Sequence, residues 1–299
     1  MEKFGINSIS VDNVSVIKDK IFNLHRILNC EYADIAINVA SHINDLLNMG
    51  LGYYEIFAMI SDELLDESLK SDILTFATES DFVLMLCERL LEFGIMPDES
   101  DLLPSDTVEE TFTYVKNMLA DEAYDVFSQD FSDPRVAYAG GFKEAAEGAS
   151  KKRVGFCILP LEERAGTRIP GISSIILSED LKIVAVSPVF GLDGNADMKY
   201  ALLSSEFKVP TYETGDERYL EIMLETGSDA SLSALLIASE SFQCELFRIN
   251  TSFYENDDAE IPYYSIIFKT KKQSFSDFLV YLAMFCPDYI SVGLYKNLE

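Results

Sequence analysis

Residues 219–226 read YLEIMLET, 230–242 read ASLSALLIASESF and 244–254 read CELFRINTSFY. Beyond an acidic loop, Glu255 to Glu260, come YYSIIFKT over 263–270, FSDFLVYLAMF over 275–285 and YISVGLY over 289–295. The first, third, fourth and sixth stretches read as strands, and the second and fifth as helices. That order is βαββαβ, a ferredoxin-like unit, assigned to residues 213–299.

Upstream, residues 101–212 read as a single α/β lobe. Arg135 to Ala139 is a short strand, and Gly140-Gly141 turns it into a helix over 142–149. VGFCIL at 154–159 is a continuous apolar run, as expected of a strand buried on both faces. Leu181 to Val186 and Lys199 to Ser204 are further strands, and Thr111 to Leu119 reads as helix. Strands alternating with helices argue an α/β layer.

Residues 14–94 repeat apolar residues at three and four, as in Ile35, Val39, Ile43, Leu46 and Leu47, and show no strand alternation. They form a helical N-terminal domain, residues 1–100. IMPDESDLLPSD at 95–106, with its two prolines, reads as a linker. The fold class expected of the whole chain is therefore α+β.

The chain has 299 residues, 23 of them basic and 51 acidic, for a net charge of −28. That excludes a duplex-binding role, which needs Lys and Arg facing phosphate. No apolar run reaches about 18 residues, so no bilayer-spanning helix is expected. The opening MEKFGINSISVDN lacks a signal-peptide pattern. Five widely spread cysteines (Cys30, Cys87, Cys157, Cys244, Cys286) sit in apolar contexts and read as free thiols. They point to a reducing compartment, the cytosol. Residues 134–204 alone are charge-balanced, with 8 acids and 9 bases. Two readings stand: buried sheet carries few acids, or this segment faces an anionic ligand.

Motifs for other chemistry are missing. His25 and His42 lie in helical patterns without zinc-spaced partners, so no metal site is expected. Gly140-Gly141 and Gly194-Asn195 lack the framing of a phosphate loop. No cofactor is implied.

GFCILPLEER at 155–164, DLKIVAV at 180–186 and MKYALL at 198–203 follow FKEAAEGAS at 142–150 in an order that resembles prephenate dehydratase. Leu159, Pro160, Leu161 and Glu162 keep the family's Leu-Pro-Ile-Glu pattern, with Gly166-Thr167 after it. The βαββαβ unit resembles the family's ACT regulatory domain. Ala230-Ser231-Leu232 and Asn250-Thr251-Ser252-Phe253 stand at its effector-binding segments. The resemblance runs from about residue 106 to the end.

The departures argue against catalysis. The family's threonine, placed to assist the leaving hydroxyl as an acid, is Met198 here. The adjacent arginine is Lys199, which loses a two-pronged carboxylate clamp. Glu163-Arg164 replace an Asn-Ser pair, and a carboxylate at Glu163 would repel a dicarboxylate. Only Ser187 to Met198 stand where the family inserts a second lobe. In the effector segment, Phe253 would fill the space of an effector. The helical domain faintly resembles a chorismate mutase, yet residues 1–104 offer 19 acids against 6 bases, so a plain helical domain is the simpler reading.

The expectation is a non-catalytic relative serving small-molecule sensing or protein association in aromatic amino-acid metabolism. The alternative is a divergent prephenate dehydratase or chorismate mutase. Gly166, Thr167, Arg168 and Lys199, near predicted strand ends, are the candidate residues for a small carboxylate or amino acid. Gly166 leaves amides approachable, Thr167 offers a hydroxyl and Arg168 a two-pronged contact. Alternatively, Arg168 pairs with Glu162 or Glu163. A homodimer through the ACT-like unit is expected, because its edge strand needs a partner.

Overall fold

The computed structural model describes residues 34–64, 79–103, 108–190, 196–208, 217–226, 232–256, 259–270, 274–286 and 288–298. The chain divides into two compact units, one of residues 1–51 and 63–96, the other of residues 52–62 and 97–299.

The first unit is helical where it is described. Helix α1 covers residues 34–48 and buries Ala36, Ala40, Ile43 and Leu46. The buried stripe is turned toward the alanines, and Ile35 and Val39 are only half-buried. The helix Glu79–Glu92 buries Phe82, Val83, Leu86, Cys87 and Leu90. It stops at Gly94, whose φ of +70° glycine tolerates best. His42 is exposed on α1, and Cys30 and His25 fall outside the described residues.

The second unit begins with the helix Tyr53–Leu64, up to residue 62, and is organised by one sheet of nine strands. In chain order they are β1 (Thr111–Tyr114), β2 (Arg135–Tyr138), β3 (Phe156–Glu163), β4 (Lys182–Phe190), β5 (Ala196–Ser204), β6 (Arg218–Glu225), β7 (Glu245–Asn256), β8 (Ala259–Thr270) and β9 (Ile290–Lys296). Across the sheet the order is β2-β1-β3-β5-β4-β9-β6-β8-β7. Within β6 to β9 each strand is antiparallel to its neighbours, and their order is the one expected of a ferredoxin-like unit. The helices Leu232–Ser241 and Ser276–Phe285 complete it.

The first five strands form the α/β lobe. β1 pairs in parallel with β2 and β3, while β5 runs antiparallel between β3 and β4. β4 and β5 are thus direct neighbours, joined by only a few residues. The helices Phe142–Ser150 and Pro170–Ser178 pack on one face with Leu159, Leu161, Ile183 and Leu203. The helix Met118–Phe127 packs on the other with Phe156, Ile158, Val184 and Leu202.

Two sequence expectations need correction. Thr111–Leu119 is a strand followed by a helix start. Phe112, Thr113 and Tyr114 are buried in the sheet, and Asn117 caps the next helix by accepting from the Ala120 amide at 2.9 Å. So short an apolar run does not reveal its period. Nor is 95–106 merely a linker. Asp98 caps the short helix Glu99–Leu102, and Glu99 is buried. Glu99 accepts two bonds from Arg218, at 3.0 and 2.5 Å, and one from the Phe275 amide at 2.6 Å. A buried ion pair therefore fastens this segment to β6.

The lobe and the ferredoxin-like strands share the sheet because β4 pairs in parallel with β9 at Ile183 and Gly293. A Cβ on Gly293 would stand 2.7 Å from Ile183 Cβ and 3.0 Å from its carbonyl oxygen. Glycine is required there for the strands to approach. This seam places the helix Pro170–Ser178 beside the open face of β6 to β9.

Candidate functional site

A cavity of about 410 Å³ lies between that helix, the turn Gly166–Arg168 and the face of β6 to β9. Strand alternation supplies its sheet wall. Tyr219, Glu221 and Met223 share one face of β6, while Leu220, Ile222 and Leu224, also buried, occupy the other. On β8, Ser265 stands between Tyr263 and Ile267 on the same face. A carboxylate and a hydroxyl thus occupy core positions.

A bulge supplies the second carboxylate. β3 pairs Pro160 with Tyr200 and Glu162 with Lys199, so Leu161 is one residue too many. Bulges re-aim side chains. Here Leu161 stays in the core and Glu162 turns toward the same side, where it is almost fully buried. The chain then reverses: Glu163 N–H donates to the Thr167 carbonyl at 2.9 Å, and Gly166 N–H to the Glu163 carbonyl at 2.8 Å. Gly166 has φ +78°, which suits its lack of a Cβ.

The charges interlock. Arg168 Nη2 meets Glu221 Oε2 at 2.5 Å, and its Nε lies 3.4 Å from Glu162 Oε1. Arg248 on β7 donates through Nη1 to Glu162 Oε1 at 2.5 Å and to the Gly166 carbonyl at 3.1 Å. Lys199 Nζ is 3.5 Å from Glu162 Oε2. Glu221 also accepts from Tyr295 Oη at 3.2 Å and Ser265 Oγ at 3.3 Å. The lobe's Arg168 therefore holds a ferredoxin-strand carboxylate, and the ferredoxin-strand Arg248 holds the lobe's Glu162. Burial opposes the Arg168 charge, but Glu221, Tyr295 and Glu162 outweigh it and hold the guanidinium above its ordinary value. Burial, and after it the charge of Glu221, push the Tyr295 hydroxyl well up, so it remains a donor.

Of the four residues expected from sequence, Gly166, Thr167 and Arg168 line the cavity. Lys199 does not line it and pairs with Glu162 from the neighbouring strand. Arg168 makes the ion pair with Glu162 that the sequence left open, and a stronger one with Glu221. Glu163, expected to repel a dicarboxylate, is exposed. The buried carboxylates at this site are Glu162 and Glu221. Met198 packs on the opposite face of the sheet, against the core that holds Tyr200 and Leu202. Ala230, Ser231 and the side chains of Ser252 and Phe253 fall outside the described residues. Asn250 and Thr251 line the cavity.

Sequence reading missed Glu221 and Arg248. Their signal was present: each is a lone charge inside a strand otherwise rich in apolar residues, LEIML and LFRI. Such charges are buried only when paired.

No family model and no curated protein matches the sequence. Solved structures do. The prephenate dehydratase of Streptococcus mutans matches with a TM-score of 0.50 and 14% identity, over 64% of this chain and 100% of that one. The chain has a prephenate dehydratase-like fold. GqqA, described as a novel type of quorum quenching acylase, matches with a TM-score of 0.45 and 14% identity, over 63% of this chain and 95% of that one. The Arthrobacter aurescens prephenate dehydratase, in complex with L-Phe, matches with a TM-score of 0.44 and 12% identity, over 62% of this chain and 90% of that one. In the prephenate dehydratase-like fold of this chain, the charged cavity lies where the lobe meets the ferredoxin-like strands. Among the described residues no three His, Cys, Asp or Glu cluster as metal ligands, and no helix is long and apolar enough to cross a membrane.

Proposed function

We propose that the chain is a non-catalytic binding protein on a prephenate dehydratase-like fold. It senses a small carboxylate or amino acid, or associates with a partner protein, in aromatic amino-acid metabolism. The observation that supports this most is the cavity itself. It is enclosed by two structural parts and lined by Arg168, Arg248 and Glu221. Glu221 in its wall and the adjoining Glu162 are both tied to guanidiniums. Met198 faces the opposite core and has no proton to give. The likeness of fold favours a second reading, a divergent prephenate dehydratase with a rebuilt site.

A thermal-shift screen with amino acids and small carboxylates tests the proposal. A rise in melting temperature that grows with ligand concentration is expected. No shift with any of them would refute small-molecule sensing.

A cytosolic homodimer completes the proposal. The described cysteines Cys87, Cys157, Cys244 and Cys286 are buried and form no disulfide, in keeping with a reducing compartment. Of the strands in the ferredoxin-like unit, β8 lies inside the sheet, between β6 and β7. The edge left for pairing is β7, where Leu246, Phe247 and Ile249 are exposed. Light scattering should show a dimer for the wild type and a monomer for Ile249→Lys. A wild-type monomer would refute the dimer.

A further inference from the structure

The cavity has a charged end and an apolar end, and they differ in what they leave available. At the charged end, Arg168 is engaged with both buried carboxylates. Arg248 is paired with one carboxylate, Glu162. Among the described residues its hydrogen bonds both run through Nη1. A guanidinium has five N–H donors in a planar fork, so Nε and Nη2 remain. The Arg248 side chain is 23% exposed, against 13% for Arg168.

The charge count points the same way. Arg168, Arg248 and Lys199 face Glu162 and Glu221. One positive charge is left over, inside a chain whose net charge is −28. A monoanion balances it. A dianion would leave a negative charge beside two buried carboxylates, which is unfavourable where water is scarce. Asn250, Thr251 and Ser265 line the same end with neutral polar groups.

At the apolar end stand Ile176, Leu177, Met223 and Val292. The same four side chains also line a second cavity of about 130 Å³, which continues to Leu181 and Ile290 and is closed by Asp180, Lys182 and Ser291. Met223, unbranched and flexible, sits at the shared wall, where it can shift to join the two spaces. The larger cavity is near the lower end of ligand-sized pockets, roughly 300–1,000 Å³.

We propose that this cavity binds a small amphipathic monocarboxylate. Its carboxylate engages Nε and Nη2 of Arg248, and its apolar body lies against Ile176, Leu177, Met223 and Val292. This rests on the binding reading above and narrows it: dicarboxylates are excluded by charge, and an apolar body is required.

The test is calorimetry on the full chain with three probes of similar body. These are 3-phenylpropionate, 2-phenylsuccinate, which adds a second carboxylate, and 3-phenylpropanamide, which has none. The first should bind below millimolar, and the other two about tenfold or more weaker, as loss of a charge-assisted bond implies. Arg248→Gln should weaken 3-phenylpropionate by about tenfold or more, and Arg248→Lys less. Leu177→Trp, on the half-buried last turn of its helix, should weaken it by filling the apolar end. Thermal melts of each variant confirm that it is folded. Equal binding of 2-phenylsuccinate, or an unchanged affinity in a folded Arg248→Gln, would overturn the monocarboxylate assignment while leaving a binding protein. If no probe binds but an acid or amino acid from the thermal-shift screen does, the assignment fails alone. If nothing binds in either experiment, both fail.

Discussion

Removing the Arg168 side chain should destabilise the second unit far more than removing the whole Arg168–Glu221 pair. In Arg168→Met, Glu221 keeps only two neutral donors, Tyr295 Oη at 3.2 Å and Ser265 Oγ at 3.3 Å. Both partners are well shielded, with side-chain exposures of 13% and 6%, so solvent screens little of the loss. Breaking a buried pair by removing one partner costs about 3–5 kcal/mol. The two retained donors place this case near the lower end, about 3 kcal/mol. Glu221→Leu should cost a similar amount, because Arg168 would then rely on Glu162 at 3.4 Å. In the double variant, Met and Leu meet Ile183, Met223 and Val292 around the cavity. Apolar replacement of a whole buried pair is often near neutral, and a loss of about 1–2 kcal/mol is expected. The coupling, the sum of the single losses less the double loss, should therefore be about 4–5 kcal/mol. Urea unfolding followed by circular dichroism measures it, since the chain has no Trp for fluorescence. Single losses that add to the double loss within about 0.5 kcal/mol would refute the pairing.

Gly293→Ala should part β4 from β9, because its Cβ would stand 2.7 Å from Ile183 Cβ. A loss of about 1–3 kcal/mol is expected in urea unfolding, and an unchanged midpoint would mean the seam does not hold the two sets of strands. Asp98→Ala should cost about 1 kcal/mol at neutral pH through loss of the helix cap. The Asp98 carboxyl is lowered chiefly by the bond from the Ser100 hydroxyl, opposed by burial and assisted by the Ser100 and Asp101 amides. A lowered acid stabilises the fold above its unfolded value, about 3.9, and less as pH falls through the folded one. The stability gap between wild type and variant should thus be full near neutrality and shrink below about pH 4; a gap that persists undiminished at lower pH would contradict the cap.

The ferredoxin-like part was legible because its strands and helices are long enough to show their type. The shared sheet was not. Its joint rests on two parallel contacts, Ile183 with Gly293 and Val186 with Asn297, and Gly293 looks in sequence like any glycine inside a strand. The strand Thr111–Tyr114 is too short to display a period. The site was legible at Gly166, Thr167 and Arg168, which the turn after LPLEE brings together. Lys199, expected beside them as a ligand-binding residue, pairs with Glu162 and does not line the cavity. Glu221 and Arg248 were hidden because their partners come from 53 and 86 residues away in sequence. Only the fold brings such charges into contact.

The most direct measurement of the central claim is turnover of prephenate by the purified protein, followed as phenylpyruvate formation. A missing general acid alone costs roughly 10²–10⁴-fold, and Met198 lies on the face opposite the cavity. We expect no formation above the uncatalysed rate. Turnover in the usual enzyme range, roughly 1–10³ per second, would contradict a non-catalytic role and make this chain a dehydratase with a rebuilt site.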